Sequence, residues 1–401
     1  MILRLCLMAL ICLWVSETQA QRSVTVSGTV VDNENGEALP GVNVFLNNTS
    51  FKGQTDLDGR FQFSAGPGNF ELIVHQQGYR TYLLPLKTDT LKAPLRIDLR
   101  PLSFEIPALT VASERAPEWY DNLILFKEAF LGTTANASQC TIDNEEQLVL
   151  DLDRVRGTLK ASARAPIQIT NRRLGYRIAF VLEDFALDIR RNVVEYNGYT
   201  SFAELARKSV YQKRREKAYQ GSIQHWLKSM LLGTSVDDGF RSYAISRTYN
   251  PEKPSADTLR QIQRSVAAFR AGSGEKVSLR QRELLSKANL PDSIDLVAKK
   301  MWHYWEALAI DEEGATLQAP LRLRVVYLEE PPSALYRQQT HVYREEQTSH
   351  VEVKQTVRIY PDGHYSPTTA LLFTGYMAWE RVGDMLPINF EPVSQGKETP
   401  R

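Results

Sequence analysis

The chain has 401 residues, with 48 Lys and Arg against 47 Asp and Glu and a formal net charge of +1. Charges this evenly balanced and interspersed offer no basic field, which excludes a nucleic-acid partner. The length fits two or three domains, and after the N-terminal stretch no run approaches the ~20 apolar residues of a bilayer span.

Residues 1–20 read as an export leader. Arg4 precedes an apolar run from Leu5 to Val15, and Thr18-Gln-Ala20 closes it with a small-x-small cleavage pattern, too short and too abruptly ended for a membrane span. Cys6 and Cys12 leave with the leader, so Cys140 is the only thiol of the mature chain. An oxidising compartment therefore gives no intrachain disulfide, and stability rests on ordinary cores. Cys140 itself is expected to be a buried small hydrophobe.

From residue 24 to 99, short runs rich in Val, Phe and Leu alternate with Gly, Pro, Asn and Asp at roughly ten-residue spacing, the signature of a small all-β sandwich. Val24 and Val26 begin the first strand. Val42, Val44 and Leu46 alternate with Asn43 and Phe45, a half-buried strand of period two. Asp56-Leu-Asp-Gly59 has the start of a calcium loop but lacks the further ligands and distal Glu, and is expected to be a hairpin turn. Strands are also expected at residues 60–64, 70–74, 79–86 and 95–99. The segments Ser27-Gly-Thr-Val-Val-Asp32, Leu39-Pro-Gly-Val-Asn-Val-Phe-Leu46 and Thr55-Asp-Leu-Asp-Gly-Arg-Phe61 resemble the carboxypeptidase-regulatory-like module, a transthyretin-like sandwich common in envelope proteins of Bacteroidota. That resemblance covers about a fifth of the chain.

Residues 101–118, with three prolines and no clear period, read as a linker, in which Leu109-Thr-Val111 adds a possible strand. Leu123, Phe126, Phe130 and Leu131 then recur at helical spacing and stop at Gly132. Strand-like runs follow at 147–151, 157–163, 167–170 and 174–182, with a hairpin over 185–196. Residues 207–232 read as one long helix whose Lys213-Arg-Arg-Glu-Lys217 cluster is a solvated face. The segments Cys140-Thr-Ile-Asp-Asn144, Ile169-Thr-Asn-Arg-Arg-Leu-Gly-Tyr176, residues 126–132 and 215–222, and Glu380-Arg-Val-Gly-Asp-Met-Leu-Pro387 resemble landmarks of uncharacterised Bacteroidota envelope proteins. No catalytic role is carried over with them. Later, strands are expected at 321–329, 351–360 and 371–373, and residues 380–387 are expected to return and close the second region. The tail 393–401 is polar and expected to be disordered.

Several constellations invite chemistry. His303-Tyr-Trp-Glu306 has the spacing of two zinc ligands, but His341, His350 and His364 lie at the wrong distances for a third, and His303 is expected to be a core or edge residue. Glu145, Glu146, Asp151 and Asp153 are expected to be a solvated edge rather than a glycosidase pair. Trp302, Tyr304 and Trp305 form either a sugar-stacking platform or core packing, core packing being preferred. Asp89-Thr-Leu91, Asp257-Thr-Leu259 and Asp292-Ser-Ile294 resemble the short O-glycosylation acceptor motif of Bacteroidota, and each is expected to be bare. A Gly-x-Ser-x-Gly elbow, a His-Glu-x-x-His helix and a phosphate loop are absent.

The reading is therefore a mainly β protein with some α. A transthyretin-like β-sandwich at 21–100 is followed by a larger α+β region at 119–392. The expected function is that of an exported envelope component, periplasmic or associated with the outer membrane. It would bind or assemble, with the sandwich as spacer or docking module and an envelope protein or glycan as partner. No catalytic, cofactor-binding or metal residue is assigned, and no cofactor is expected. The alternative is an envelope hydrolase, peptidase or glycosidase, with its site in the second region.

Overall fold

The computed structural model describes residues 23–102, 116–207 and 209–392. The leader 1–20, most of the linker including Leu109-Thr-Val111, and the tail 393–401 lie outside the described residues. The chain folds as two compact units: residues up to Gln224 together with those from Trp379 onward, and His225–Ala378 inserted between them.

The first unit begins with the sandwich. Its strands are β1 (Val24–Asp32), β2 (Asn43–Leu46), β3 (Lys52–Gln54), β4 (Arg60–Ala65), β5 (Asn69–His75), β6 (Tyr82–Lys87) and β7 (Leu95–Leu99). They form two sheets, ordered β4-β1-β7 and β3-β2-β5-β6. Period-two patterning points Phe61, Phe63 and Ala65 of β4 inward to meet Val26, Val30, Val44, Leu72 and Ile97. Gly28 of β1 lets two chains approach, since a Cβ there would sit 2.4 Å from the Leu95 carbonyl oxygen. The Asp56 turn is a turn and nothing more. Its Oδ1 accepts from the backbone N–H of Asp58 and Arg60 at 3.0 and 2.8 Å, and Gly59 takes φ +71°.

One expectation for this sandwich fails. Phe45, assigned to the solvent side by its period, is buried, because with Ile73 it packs on Val181 and Tyr199 from the next layer of the same unit. Backbone hydrogen bonds fasten the two layers as well. The Asn48 N–H donates to the Thr200 carbonyl at 2.8 Å, and the Phe202 N–H donates to the Thr49 carbonyl at 2.9 Å. The sandwich is thus built into the first unit along one face.

That next layer contains α1 (Pro117–Leu131), β8 (Cys140–Ile142), β9 (Leu148–Asp153), β10 (Thr158–Ala163), β11 (Ile167–Asn171), β12 (Tyr176–Asp188) and β13 (Val193–Glu204). The sheet order is β8-β11-β12-β10-β9, with β13 pairing the other side of β12. Pro at N1 opens α1, and Gly132, at φ +91°, ends it. The helical spacing of Phe126 and Phe130 lays both rings on the sheet, 4.8 Å from Phe185 and 4.9 Å from Phe180 respectively.

The expected single helix over 207–232 is two helices, α2 (Ser209–Tyr219) and α3 (Ile223–Leu232). Gly221 at φ +76° breaks them, a conformation helical backbone does not admit. The basic cluster is corrected too. Lys213 and Lys217 are exposed, but Arg215 is buried. Its guanidinium donates to the carbonyls of Leu174 and Gly175 at 2.8 and 3.2 Å, pairs with Glu204 at 2.6 Å, and lies 3.8 Å over the Tyr176 ring. A buried cation persists only when its donors are matched in this way.

The second unit carries β14 (Phe240–Tyr249), α4 (Ala256–Arg270), α5 (Leu279–Ser286), β15 (Ser293–Val297), β16 (Leu308–Asp311), β17 (Gly314–Leu317), β18 (Leu321–Tyr327), α6 (Ala334–Thr340), β19 (Gln347–Val353), β20 (Val357–Ile359), β21 (Tyr365–Ser366) and β22 (Leu371–Gly375). A five-stranded antiparallel sheet, β15-β14-β18-β19-β22, and a four-stranded one, β16-β17-β20-β21, make its frame. The alternating run expected over 351–360 divides into β19 and β20. A short helix, α7 (Tyr376–Trp379), leads the chain back to the first unit.

Candidate binding site

The aromatic cluster divides by burial. Trp302 belongs to the core of the second unit, its backbone N–H donating to the Ser242 carbonyl of β14 at 2.8 Å. Trp305 is 61% exposed. Trp302 precedes a single 3-10 turn, residues Tyr304–Glu306, and Trp305 sits within it, so that one indole lies inward and the next outward. The His303 ring stacks on Trp305 at 4.3 Å and 8°, and Tyr304 meets Trp305 edge-on at 5.0 Å. Behind this shelf lies a pocket of about 230 Å³ whose walls include Met230, Gly233, Phe240, Trp302, Tyr304 and Trp305. Gly233, at φ +72°, keeps that wall open, for a Cβ there would fall 2.8 Å from the Tyr304 hydroxyl. Such a surface offers flat π-faces above an apolar floor. It suits the apolar face of a sugar ring or a planar side chain.

The His-x-x-Glu spacing is used for capping. Glu306 Oε1 accepts the His303 backbone N–H at 3.1 Å, while the Glu306 N–H donates to the His303 carbonyl at 3.0 Å. Among the described residues, no group of three or more His, Cys, Asp or Glu is placed to hold a metal ion.

The other candidates have local partners. Glu145 accepts from the Lys127 ammonium at 2.5 Å, and Asp153 Oδ1 accepts from the Val155 and Arg156 N–H groups at 3.0 and 2.9 Å. Glu146 accepts from the Gln147 side-chain amide at 3.3 Å, and Asp151 is exposed on β9. Cys140 leans on the Asn136 carbonyl at 3.5 Å. Burial, then the charge of Asp384, push its thiol up to about 12, so it remains protonated and poorly nucleophilic. Of the glycosylation-like sites, the Thr90 hydroxyl donates to the Lys87 carbonyl and the Thr258 hydroxyl is bonded to Ser255 at the start of α4. Ser293 opens β15, half-buried.

Sequence reasoning missed a buried polar cluster in the first unit. Asp384 accepts from the Thr134 hydroxyl at 2.8 Å and the Asn136 amide at 2.9 Å, and Asn136 in turn accepts from Arg173 Nε at 2.9 Å. Asn171 donates to the Gly383 carbonyl at 2.9 Å, and Arg381 donates to the Ala129 carbonyl at 2.6 Å. Burial pushes the Asp384 carboxyl up to about 6 against the lowering effect of its donors. This cluster joins the segments noted as landmarks, at 126–132, 140–144 through Cys140, 169–176 and 380–387, and its charged members are half-buried. Its signal in the sequence was the concentration of Asn, Asp and Gly in those segments, each a residue that turns or accepts backbone donors.

With this geometry in hand, residues 26–111 match the CarboxypepD_reg-like domain. The N-terminal sandwich is a CarboxypepD_reg-like domain. A TonB-dependent receptor of Formosa agariphila is 38% identical over 87 residues, which is 20% of this chain and 8% of the receptor. The match therefore spans a small part of that relative's length. DUF3823 family proteins of known structure are also similar. The one from Bacteroides ovatus is 9% identical, covering 46% of this chain and 82% of its own at a TM-score of 0.16. The one from Parabacteroides merdae is 13% identical, covering 46% and 81% at the same TM-score. The CarboxypepD_reg-like domain is a regulatory-like, non-catalytic fold, and no helix among the described residues is long and apolar enough to cross a membrane.

Proposed function

We propose that this protein is an exported cell-envelope component that binds a ligand without transforming it, and that the aromatic pocket of the second unit is the receptor, with a glycan as ligand. The observation that carries the reading is Trp305, 61% exposed and stacked on His303 at the mouth of the pocket. A large indole is held in the open by its neighbours only at a cost in apolar exposure, which a ligand would relieve. The non-enzymatic reading is supported by the occupation of the candidate groups: Glu306 caps a turn, Cys140 keeps its proton, and Asp384 is taken up by Thr134 and Asn136. Envelope location is supported by the leader pattern at 1–20 and by the similarity over 87 residues to a TonB-dependent receptor.

Titration with a neutral oligosaccharide such as cellohexaose is expected to change the tryptophan emission saturably. Trp305→Ala should abolish that response and leave the melting temperature within a degree or two, since the side chain is largely exposed. An unchanged response in Trp305→Ala, or none at all in the wild type, removes the receptor assignment. Release of reducing sugar during incubation restores the hydrolase.

A further inference from the structure

The five-stranded sheet of the second unit has one face that is polar and rich in arginine. Alternation along β18 sends Leu323, Val325 and Tyr327 to the apolar side, where all three are buried. It sends Arg322, Arg324 and Val326 to the other. The antiparallel register then sets His350 opposite Arg324 and Thr348 opposite Val326 on β19, with Tyr243 opposite Arg324 on β14. Arg324, Thr348 and His350 therefore share one patch, the diagonal pairs lying roughly 7–8 Å apart.

Within this face the arginines have different fates. Asp295 accepts from Arg322 at 2.7 and 2.9 Å and from Arg247 at 3.0 Å. Hydrogen bonds from Arg322 first, and Arg247 second, hold its carboxyl far below the usual carboxylate range. Among the described residues Arg324 is paired with no carboxylate, Glu352 lying opposite Arg322 and only diagonal to it. Its Nε is buried and without a hydrogen-bond partner among the described residues, and so is the Thr348 hydroxyl. A buried, unmatched guanidinium N–H and hydroxyl beside each other are costly, and natural structures keep such groups where something accepts from them. Partial burial, then the charges of Arg324, Arg344 and Arg322, hold the His350 imidazole below its ordinary value.

The geometry points to an oxyanion site on this sheet face, in which the Arg324 fork and the Thr348 hydroxyl hold a carboxylate or phosphate group of a ligand beside His350. A guanidinium presents two parallel N–H donors to two oxygens of one such group, and the hydroxyl supplies a third donor from the neighbouring strand. The site is built from residues that the aromatic pocket does not use, and it stands or falls apart from the glycan reading.

The test is titration of the full chain with inorganic phosphate and, separately, with glucuronate, following the His350 imidazole resonances, identified by their loss in His350→Gln. Saturable shifts with either probe are expected. Phosphate alone would identify a phosphorylated ligand, and glucuronate alone an acidic sugar. Arg324→Gln should weaken binding at least tenfold and Thr348→Val several-fold, with unchanged melting curves. Arg358→Gln, which removes a charge from the four-stranded sheet, should leave it within twofold. Absence of any shift with both probes overturns the proposal, and so do equal shifts in Arg324→Gln and the wild type.

Discussion

In the first unit, the charges of Arg215 and Asp384 are matched by the protein; in the second, Arg324 Nε and the Thr348 hydroxyl are buried side by side on one sheet face without a hydrogen-bond partner among the described residues. Arg215 is surrounded by two carbonyls, a carboxylate and a ring, and Asp384 by a hydroxyl and an amide. Arg324 and Thr348 keep buried donors without acceptors, and Trp305 shows most of its surface to solvent. The difference teaches where to look for ligands. Matched charges fix a structure, whereas two unmatched donors on one sheet face leave a place for a partner from outside the chain.

Three substitutions break or sharpen that contrast. Arg215→Leu should have the largest effect, about 4 kcal/mol of lost stability, because it strands the Leu174 and Gly175 carbonyls and the Glu204 carboxylate. Chemical denaturation measures it. The responses of Trp305 to oligosaccharide and His350 to oxyanions should survive under native conditions. Their loss would mean that the two units do not divide structure and binding as described.

Asp384→Asn comes next. The folded carboxyl sits at about 6 against an ordinary 3.8, so the folded state holds a proton more tightly than the unfolded chain. That stabilisation is complete below pH ~4 and is lost as pH rises through about 6, an amount on the order of 3 kcal/mol. Melting curves of the wild type should fall across that window, and those of Asp384→Asn should be flat there. A wild-type curve without the decline would show that the cluster accommodates the charged carboxylate.

Gly59→Val should have the smallest effect, about 1 kcal/mol or somewhat more, from a φ of +71° and a Cβ placed 2.5 Å from the Val30 carbonyl oxygen. The urea midpoint reads it. An unaltered midpoint would show that the sandwich absorbs strain as a loose layer, contrary to its fastening along β12 and β13.

The local periods were the most legible part of this sequence. Phe61 and Phe63 at spacing two, and Phe126 and Phe130 before Gly132, specify a strand and a helix through side-chain direction alone. What sequence could not show was the second partner of a face. Phe45 looked outward until Val181 and Tyr199 covered it. Arg215 looked like one of a charge run until the turn at Gly175 came within its reach. The continuous pattern through Gly221 concealed a break, since Ala218, Ser222 and Trp226 fall on one projected face whether or not the helix is interrupted. The helix α4 carried little signal because only Ile262 of its residues is buried. At the candidate sites, Trp302, Tyr304 and Trp305 were visible as neighbours in sequence, but which indole faced outward was not. Arg324 and Thr348 lie on different strands, and only register brings them together.

The return of the chain at Trp379 bears on the order of events during synthesis. Thr134, Asn136 and Asn171 are made early, yet their partners Gly383 and Asp384 emerge only after the whole inserted unit has followed. Until then, the nascent first unit must hold a polar cavity open to water at the end of α1. The inserted unit, once folded, brings the late segment back as a short tether rather than a long random loop, whose closure would cost more with each doubling of length. Completion of the earlier part of the chain thus waits upon the later, and a ribosome stalled before residue 379 would display the first unit unlatched.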